Sequence, residues 1–232
     1  MAGKILGIIG GMGPEATVDF MDKIIKTTPA GDDCDHIRML VDNNPQIPSR
    51  VQAILGSGES PAPVLVQMAR NLEKWGADFL AIPCNTAHLY YSDIKNAVKI
   101  PVLNMVKSAR KRILSELPDI KKIGLLASTA VVVTRLYHDV FKEDNIELIT
   151  PDEKQQQMVM AIIFAVKANQ WTNKQLQDLQ KLINELIARG AEAILFACTE
   201  LSVIAKGIQD FGVPAFDAAQ ILAEEVVHIV KG

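Results

Sequence analysis

Short apolar runs recur along the chain and alternate with segments of helical periodicity. Each run is rich in Ile, Val or Leu, and continuous runs of this kind are typical of strands that are buried on both faces. Strands that alternate with helices are typical of parallel sheets with helices on both faces. The pattern predicts an α/β fold with six strands, at 5–9, 37–41, 79–83, 123–127, 146–150 and 193–197.

The clearest helical segment runs from 172 to 189. Thr172 and Gln175 form a capping-box pattern at its start, and Gly190 follows its end, where a helix commonly stops. Between them lies an apolar stripe with helical spacing, made of Leu176, Leu179, Leu182, Ile183, Leu186 and Ile187. A second helix is predicted over 153–168, with an apolar face of its own.

The chain contains an internal repeat. GADFLAIPC at 76–84 resembles GAEAILFAC at 190–198, and in both segments eight positions separate the glycine from the cysteine. The openings of the two copies also correspond, since an alignment of them sets Gly7 against Gly124. We therefore expect two pseudo-symmetric lobes, each a parallel-type sheet flanked by helices. Because parallel sheets bind ligands beyond the carboxyl ends of their strands, the predicted active site is a cleft between the lobes.

Composition favours a small-molecule partner. The 232 residues are 49% hydrophobic and 22% charged, the net charge is -3, and no basic run is present, so we expect neither nucleic acid nor a membrane surface as partner. The longest clear apolar run, 158–166, is far shorter than the roughly 18 residues of a membrane span. Three cysteines are too few for a disulfide framework and suit a cytoplasmic protein with free thiols.

Cys84 and Cys198 end equivalent strands of the two copies, and each precedes a helix-starting pattern. Inversion of a stereocentre needs one group to remove a proton from one face and a second group to deliver a proton to the other. A thiol with a reference pKa of about 8.5 can serve in either form near neutral pH. Asn85, Thr86 and Thr199 supply polar groups beside the thiols for a substrate carboxylate.

A single buried cysteine is usually only a small apolar side chain, so the shared position in two repeats carries this hypothesis. Cys34 has no counterpart in the other copy, and we expect it to be an incidental thiol. His88 lies one helical turn after Cys84 and could tune it, although we expect an exposed histidine on a helix.

Several segments together resemble the aspartate/glutamate racemase superfamily, and specifically its aspartate racemase branch. They are GIIGGMGPEAT at 7–17, NNPQIPSR at 43–50, PCNTAH at 83–88 and ACTEL at 197–201. The resemblance covers nearly the whole chain. Glutamate racemases of the cell wall usually follow the second cysteine with Thr-His, whereas Cys198 here precedes Thr199-Glu200.

This resemblance implies racemisation of aspartate, and with it glutamate as an open alternative, without pyridoxal phosphate, another cofactor or a metal. It also implies that the C-terminal strand and helix return to the first lobe. The expected lobes are therefore 1–100 with 213–232, carrying Cys84, and 101–212, carrying Cys198. A homodimer is a further expectation from the family.

Motif matching sets Arg50 and Lys167 at the positions of the family's cationic substrate-binding residues. A guanidinium can hold a carboxylate through two parallel hydrogen bonds, while a lysine acts as a movable point charge. Met12 and Gly13, in the glycine-rich turn, are expected to line the substrate carboxylate. The chain departs from the family pattern at Ala130-Val131, where many members carry Gly-Thr. The threonine hydroxyl, which contacts substrate in those members, is therefore missing here.

Other functions stay open at this point. A related isomerase of the superfamily, or a racemase with a broader amino-acid spectrum, would share the same motifs. A dinucleotide-binding protein is a third reading, because 11–16 satisfies G-x-G-x-x-A after a strand and Asp42 ends the next strand. That reading leaves the duplicated cysteine segments unexplained.

Overall fold

A computed structural model describes residues 3–232, which form two compact units: 3–105 with 219–232, and 106–218. The first unit holds a parallel sheet in the order β2-β1-β3. Its strands are β1 (Leu6–Gly10), β2 (Met39–Asn43) and β3 (Phe79–Ala81). Its α-helices are α1 (Pro14–Thr27), α2 (Arg50–Ile54), α3 (Ala62–Lys74) and α4 (Tyr91–Ala97). Two short 3-10 turns lie at Asp33–Asp35 and Thr86–Tyr90. Every residue of β1 is buried, as the apolar run predicts.

The second unit holds a four-stranded parallel sheet in the order β5-β4-β6-β7. The strands are β4 (Lys122–Ala127), β5 (Glu147–Ile149), β6 (Ala193–Ala197) and β7 (Ala215–Asp217). The helices are α5 (Met105–Glu116), α6 (Thr129–Val133), α7 (His138–Lys142), α8 (Glu153–Lys167), α9 (Asn173–Ala188) and α10 (Thr199–Ala205). The α/β prediction and all six predicted strands are confirmed, and no strand end is shifted by more than two residues.

The strand orders repeat. In each sheet the first strand of the copy is central, the second strand lies on one side and the cysteine-bearing strand on the other. A parallel bridge between Leu80 and Val102 takes the place in the first unit that β7 takes beside β6 in the second. The internal repeat read from the sequence is thus a repeat of topology.

The predicted capping box of α9 is present. The Thr172 hydroxyl accepts a hydrogen bond from the backbone N–H of Lys174. In turn, the backbone N–H of Thr172 donates to the side-chain oxygen of Gln175 at 2.8 Å. The stripe residues Leu179, Leu182, Ile183 and Leu186 are buried in the core of the second unit. Such caps satisfy N–H groups that the first helical turn leaves unpaired.

The C-terminal segment divides between the units. β7 pairs with β6 in register Ile194 to Ala215, so residues 215–217 belong to the second sheet. The following helix, α11 (Ala218–Lys231), belongs from Ala219 onward to the first unit, where Gln220 donates to Thr27 at 3.1 Å. The expected division assigned all of 213–232 to the first lobe; the hydrogen bonds of β7 place its strand part with the second sheet.

Candidate active site

Cys84 lies in the turn after β3, at the carboxyl end of the first sheet. Its side chain is 6% exposed and belongs to a core cluster that also contains Met12 and Ile47. Since β1 pairs with β3, the turn after β1 that carries Met12 lies at the same edge of the sheet as Cys84. Asn85 and Thr86, which follow Cys84, are also buried. The structure thus brings Met12, Cys84 and their polar neighbours to one edge of this unit.

The glycine-rich turn after β1 is closed by its own residues. Gly11 has φ +91°, and a Cβ there would lie 2.2 Å from the carbonyl oxygen of Asn44, so only glycine fits. The Gly11 N–H donates to Thr17 Oγ1 at 2.8 Å, and that hydroxyl donates to the Gly13 carbonyl at 3.1 Å. The Gly11 N–H is therefore satisfied inside the turn.

Arg50 begins α2, which contacts the 3-10 turn after Cys84. Its Nη1 donates at 3.3 Å and 3.4 Å to the carbonyls of Pro48 and Ile47, which are long bonds. Its Nε is buried without a hydrogen-bond partner. Burial raises the pKa of the neighbouring Tyr90, and the positive charge of Arg50 opposes that rise. The guanidinium therefore keeps donor capacity for an anion beside the turn.

His88 is buried, not exposed as the sequence predicted. Its Nε2 accepts the backbone N–H of Met105 at 3.0 Å, and its Nδ1 lies 2.9 Å from the carbonyl oxygen of Cys84. These bonds assign the proton to Nδ1, because Nε2 acts as the acceptor. Burial lowers the pKa of His88 to about 4. The ring is neutral with both nitrogens used, so it supports the backbone at Cys84 and is no base for the thiol.

Cys198 follows β6 and is the N-cap of α10 in the second unit. Its thiol donates to Glu200 Oε2 at 3.0 Å, and the hydroxyl of Thr199 lies 3.5 Å from the same oxygen. Lys167, at the end of α8, holds its Nζ 3.6 Å from Glu200 Oε1. Three residues selected from the sequence, Cys198, Thr199 and Lys167, therefore meet around a fourth that was not selected. Glu200 is 4% exposed, and a charge buried this deeply is retained only with partners.

Helix α8 lies against the strand ends of the second sheet through one face. Gln156 donates to the carbonyl of Ala127 at 3.0 Å and to Thr129 Oγ1 at 3.2 Å. Met160, one turn later, accepts the N–H of Thr129 through its sulfur at 3.3 Å. The carbonyl oxygen of the Gln156 side chain is buried without a partner. This acceptor was also missed, since a glutamine in a helix carries no motif.

Ala130 and Val131, which depart from the family pattern, are fully buried in α6. Thr134 offers a nearby hydroxyl, but it donates to the carbonyl of Ala130 at 2.5 Å. The Thr129 hydroxyl accepts from Gln156, as described above. The polar group at this strand end is thus a pair, Thr129 with Gln156, rather than a threonine at 131.

Among residues 3–232, no three His, Cys, Asp or Glu side chains lie together as a metal-binding group. The same residues contain no helix of sufficient length and apolar character to cross a bilayer. None of the three cysteines forms a disulfide; Cys34 is exposed, whereas Cys84 and Cys198 are buried.

Two α/β units with matching strand orders, each with a buried thiol after the same strand, are the arrangement expected from the resemblance to the racemases. The family profile described as "Asp/Glu/Hydantoin racemase" matches residues 9–226. The chain belongs to this family, and its enzyme class is that of the amino-acid racemases.

Individual relatives agree with this assignment. The chain is 33% identical to the broad specificity amino-acid racemase RacX of Bacillus subtilis (strain 168), covering 96% of each chain. The aspartate racemase of Picrophilus torridus has a similar structure, with TM-score 0.87, 34% identity and coverage of 97% of this chain and 94% of its own. An aspartate racemase homologue from Pyrococcus horikoshii OT3, at 22% identity, TM-score 0.77 and 100% coverage of both chains, shares the fold.

Proposed function

We propose that this protein racemises acidic amino acids, with aspartate as the main substrate and glutamate as the second, through Cys84 and Cys198 and without an added cofactor. The observation that carries the proposal is the equivalent placement of the two buried thiols. Each follows the third strand of its copy, and each of those strands pairs with the central strand of its sheet. Two thiols placed by a repeat are suited to the two faces of one α-carbon.

In this mechanism one cysteine, as thiolate, removes the α-proton, and the electron pair of the broken C–H bond stays on the substrate as a carbanion. The other cysteine, as thiol, delivers its proton to the opposite face. The product has inverted configuration, and the two sulfurs have exchanged protonation states. No electrons or atoms are gained or lost, so the reaction needs no oxidant or co-reactant.

Substrate charge is the reason for the acidic preference. Arg50 has two long bonds from Nη1 and an Nε without a partner, so its guanidinium can bond a substrate carboxylate once the groups that bury Nε move aside. Lys167 adds a positive charge at the end of α8, although the Glu200 carboxylate, 3.6 Å away, neutralises part of that charge. Met12, Gly13, Asn85, Thr86 and Thr199 complete the proposed substrate contacts.

A broader amino-acid spectrum is the second candidate. The relative from Bacillus subtilis is named as a broad specificity racemase. In addition, Val131 replaces the threonine of the family pattern and is fully buried, which removes one hydroxyl from recognition. A site with fewer fixed hydrogen bonds discriminates less strongly between side chains.

A chiral assay tests the proposal and separates the two candidates. The purified chain is incubated without cofactor with each common amino acid in its L and D forms, and the enantiomers are separated. We expect the highest kcat/KM with aspartate, followed by glutamate. Equal or higher values with neutral or basic amino acids would support the broad spectrum, and no inversion of any amino acid would contradict both. Cys34→Ser is the matched control and should keep full activity, because Cys34 is exposed and has no counterpart.

A further inference from the structure

The residue two positions after the cysteine differs in charge between the two copies. Two positions after Cys198 stands Glu200, whose carboxylate accepts the thiol hydrogen at 3.0 Å. Two positions after Cys84 stands Thr86, which carries no charge. Cys198 and Glu200 are both buried, and a charge acts more strongly on its neighbour where water is excluded.

The backbone support of the two cysteines is similar. Four positions after Cys84, His88 bonds the Cys84 carbonyl, and four positions after Cys198 the Ser202 hydroxyl lies 3.4 Å from the Cys198 carbonyl. Within the four positions after each cysteine, only the second copy carries a carboxylate, and that carboxylate is buried.

We propose that Glu200 is a positioning residue that holds Cys198 as the protonated thiol in the resting enzyme, and that Lys167 limits this effect by pairing with the other carboxylate oxygen. A thiolate beside an ionised carboxylate is disfavoured by like charge, while the thiol gains a charge-assisted hydrogen bond. The ammonium of Lys167, 3.6 Å from the other carboxylate oxygen, offsets part of this negative charge and so lowers the cost of a thiolate nearby.

Other charged groups of this unit either add to the negative charge near Cys198 or have no part in it. Asp217, from β7, accepts the Ser202 hydroxyl at 2.6 Å, and that hydroxyl lies 3.4 Å from the Cys198 carbonyl, so Asp217 is a second carboxylate near this cysteine. Burial and the charge of Asp217 both raise the pKa of Tyr137, which stays neutral. The charged residues of α9, such as the pair Lys174 and Asp178, are paired with each other at its surface.

This inference rests on the proposed function, because a resting Cys198 thiol is the group that would deliver the proton when the other cysteine removes one. It assigns the two thiols unequal roles in the free enzyme. The acid is set at Cys198 before substrate binds, and the protonation states must return to this arrangement after a turnover that ends with the Cys198 thiolate.

The test is a titration of Cys198 that needs no substrate. In a Cys34→Ser/Cys84→Ser background Cys198 is the single thiol, and its thiolate is followed by ultraviolet absorbance against pH, with the same chain carrying Cys198→Ser as the blank. Glu200→Gln keeps the size of the side chain and removes its charge. We expect its titration midpoint to fall by about 1 pH unit, and that of Lys167→Met to rise.

Glu192→Gln is the matched control, because it removes a carboxylate from the same unit but at the start of the strands, where Glu192 accepts the Lys121 N–H. Its midpoint should not move. An unchanged or raised midpoint in Glu200→Gln, or a lowered one in Lys167→Met, would overturn the proposal; if one variant does not fold, the other still decides. Because the titration involves no amino acid, absence of racemisation in the unsubstituted chain would defeat the proposed function without touching this result.

Discussion

The two units solve the same packing problem with different residues. Gly7 of β1 and Gly124 of β4 stand at matching places, and a Cβ at either would meet three matching side chains. The nearest atoms belong to Leu80, Ala77 and Leu72 in the first unit and to Ile194, Ala191 and Leu186 in the second. The frame that carries each cysteine is thus preserved down to single contacts.

The strand starts match as well. Asp78 accepts the N–H of Ile5 at 2.6 Å in the first unit, and Glu192 accepts the N–H of Lys121 at 2.8 Å in the second. What differs is the turn after each cysteine, with a neutral buried histidine in one copy and a buried carboxylate in the other. The comparison teaches that duplication preserved the scaffold while the electrostatics of the two thiols diverged.

Apart from the cysteine variants, the largest loss of activity is expected at the two cationic residues, Arg50 in the first unit and Lys167 in the second. Arg50→Ala and Lys167→Ala should each lower kcat/KM for aspartate by about 10- to 100-fold, because each removes a charged hydrogen-bond donor. Neutral amino acids should lose less. Arg50→Lys separates charge from geometry, since it keeps the charge and loses the two-bond grip. Steady-state kinetics on folded variants, checked by circular dichroism, measures this, and unchanged efficiency in both alanine variants would remove these residues from the site.

The buried histidine gives the first unit a pH dependence that Ser202 cannot give the second. The pKa of His88 is about 4 in the folded protein against 6.5 for an ordinary histidine, so the unfolded chain binds more protons between these values. The free energy of unfolding should therefore fall as pH drops from about 6.5 to about 4, by about 3 kcal/mol in total. Chemical denaturation at several pH values measures the slope.

His88→Gln should flatten this slope between pH 6.5 and pH 4, because glutamine does not titrate there. His36→Gln is its matched control, since His36 is exposed and should leave the slope as it is. A slope that survives His88→Gln would show that other groups cause the acid sensitivity.

The paired glycines test whether the frames are equivalent. Gly7→Ala and Gly124→Ala place a Cβ 2.5 Å and 2.7 Å from the nearest side-chain atom, so each should destabilise its own unit by roughly 1–3 kcal/mol. Gly31→Ala, where the nearest atom lies at 3.5 Å, is the control with ordinary contact. Thermal and denaturant unfolding measure the costs. A large cost at one glycine and none at the other would break the equivalence.

Much of this frame could be predicted because it depends on local patterns. Apolar runs located six strands, and the Thr172 capping box located the start of α9, since both signals lie within a few residues of chain. The strand β7 was expected only from the family resemblance, and in the first lobe, because its three residues form too short an apolar run and its pairing with β6 is a tertiary contact.

The electrostatic detail of the site could not be read in this way. The sequence around His88 predicts an exposed histidine on a helix. Its burial is explained only by its two backbone partners in the fold, Cys84 and Met105. Glu200 was noted only as a mark of the aspartate branch, because its contact with Lys167 joins α10 to α8. The roles of the selected site residues, the cleft between the lobes, the absence of a cofactor, the homodimer and the cytoplasmic location stay predictions.

The central claim is that the two copies act on opposite faces of one substrate carbon. Its most direct measurement is racemisation of aspartate in heavy water, followed by mass spectrometry of the separated enantiomers, for the unsubstituted chain and for Cys84→Ser and Cys198→Ser. Serine is nearly isosteric with cysteine but far less acidic, so both variants should fold and neither should invert the substrate. The unsubstituted chain, started from either enantiomer, should place deuterium at the α-carbon of its product. Substantial racemisation by either single serine variant would contradict the two-thiol account.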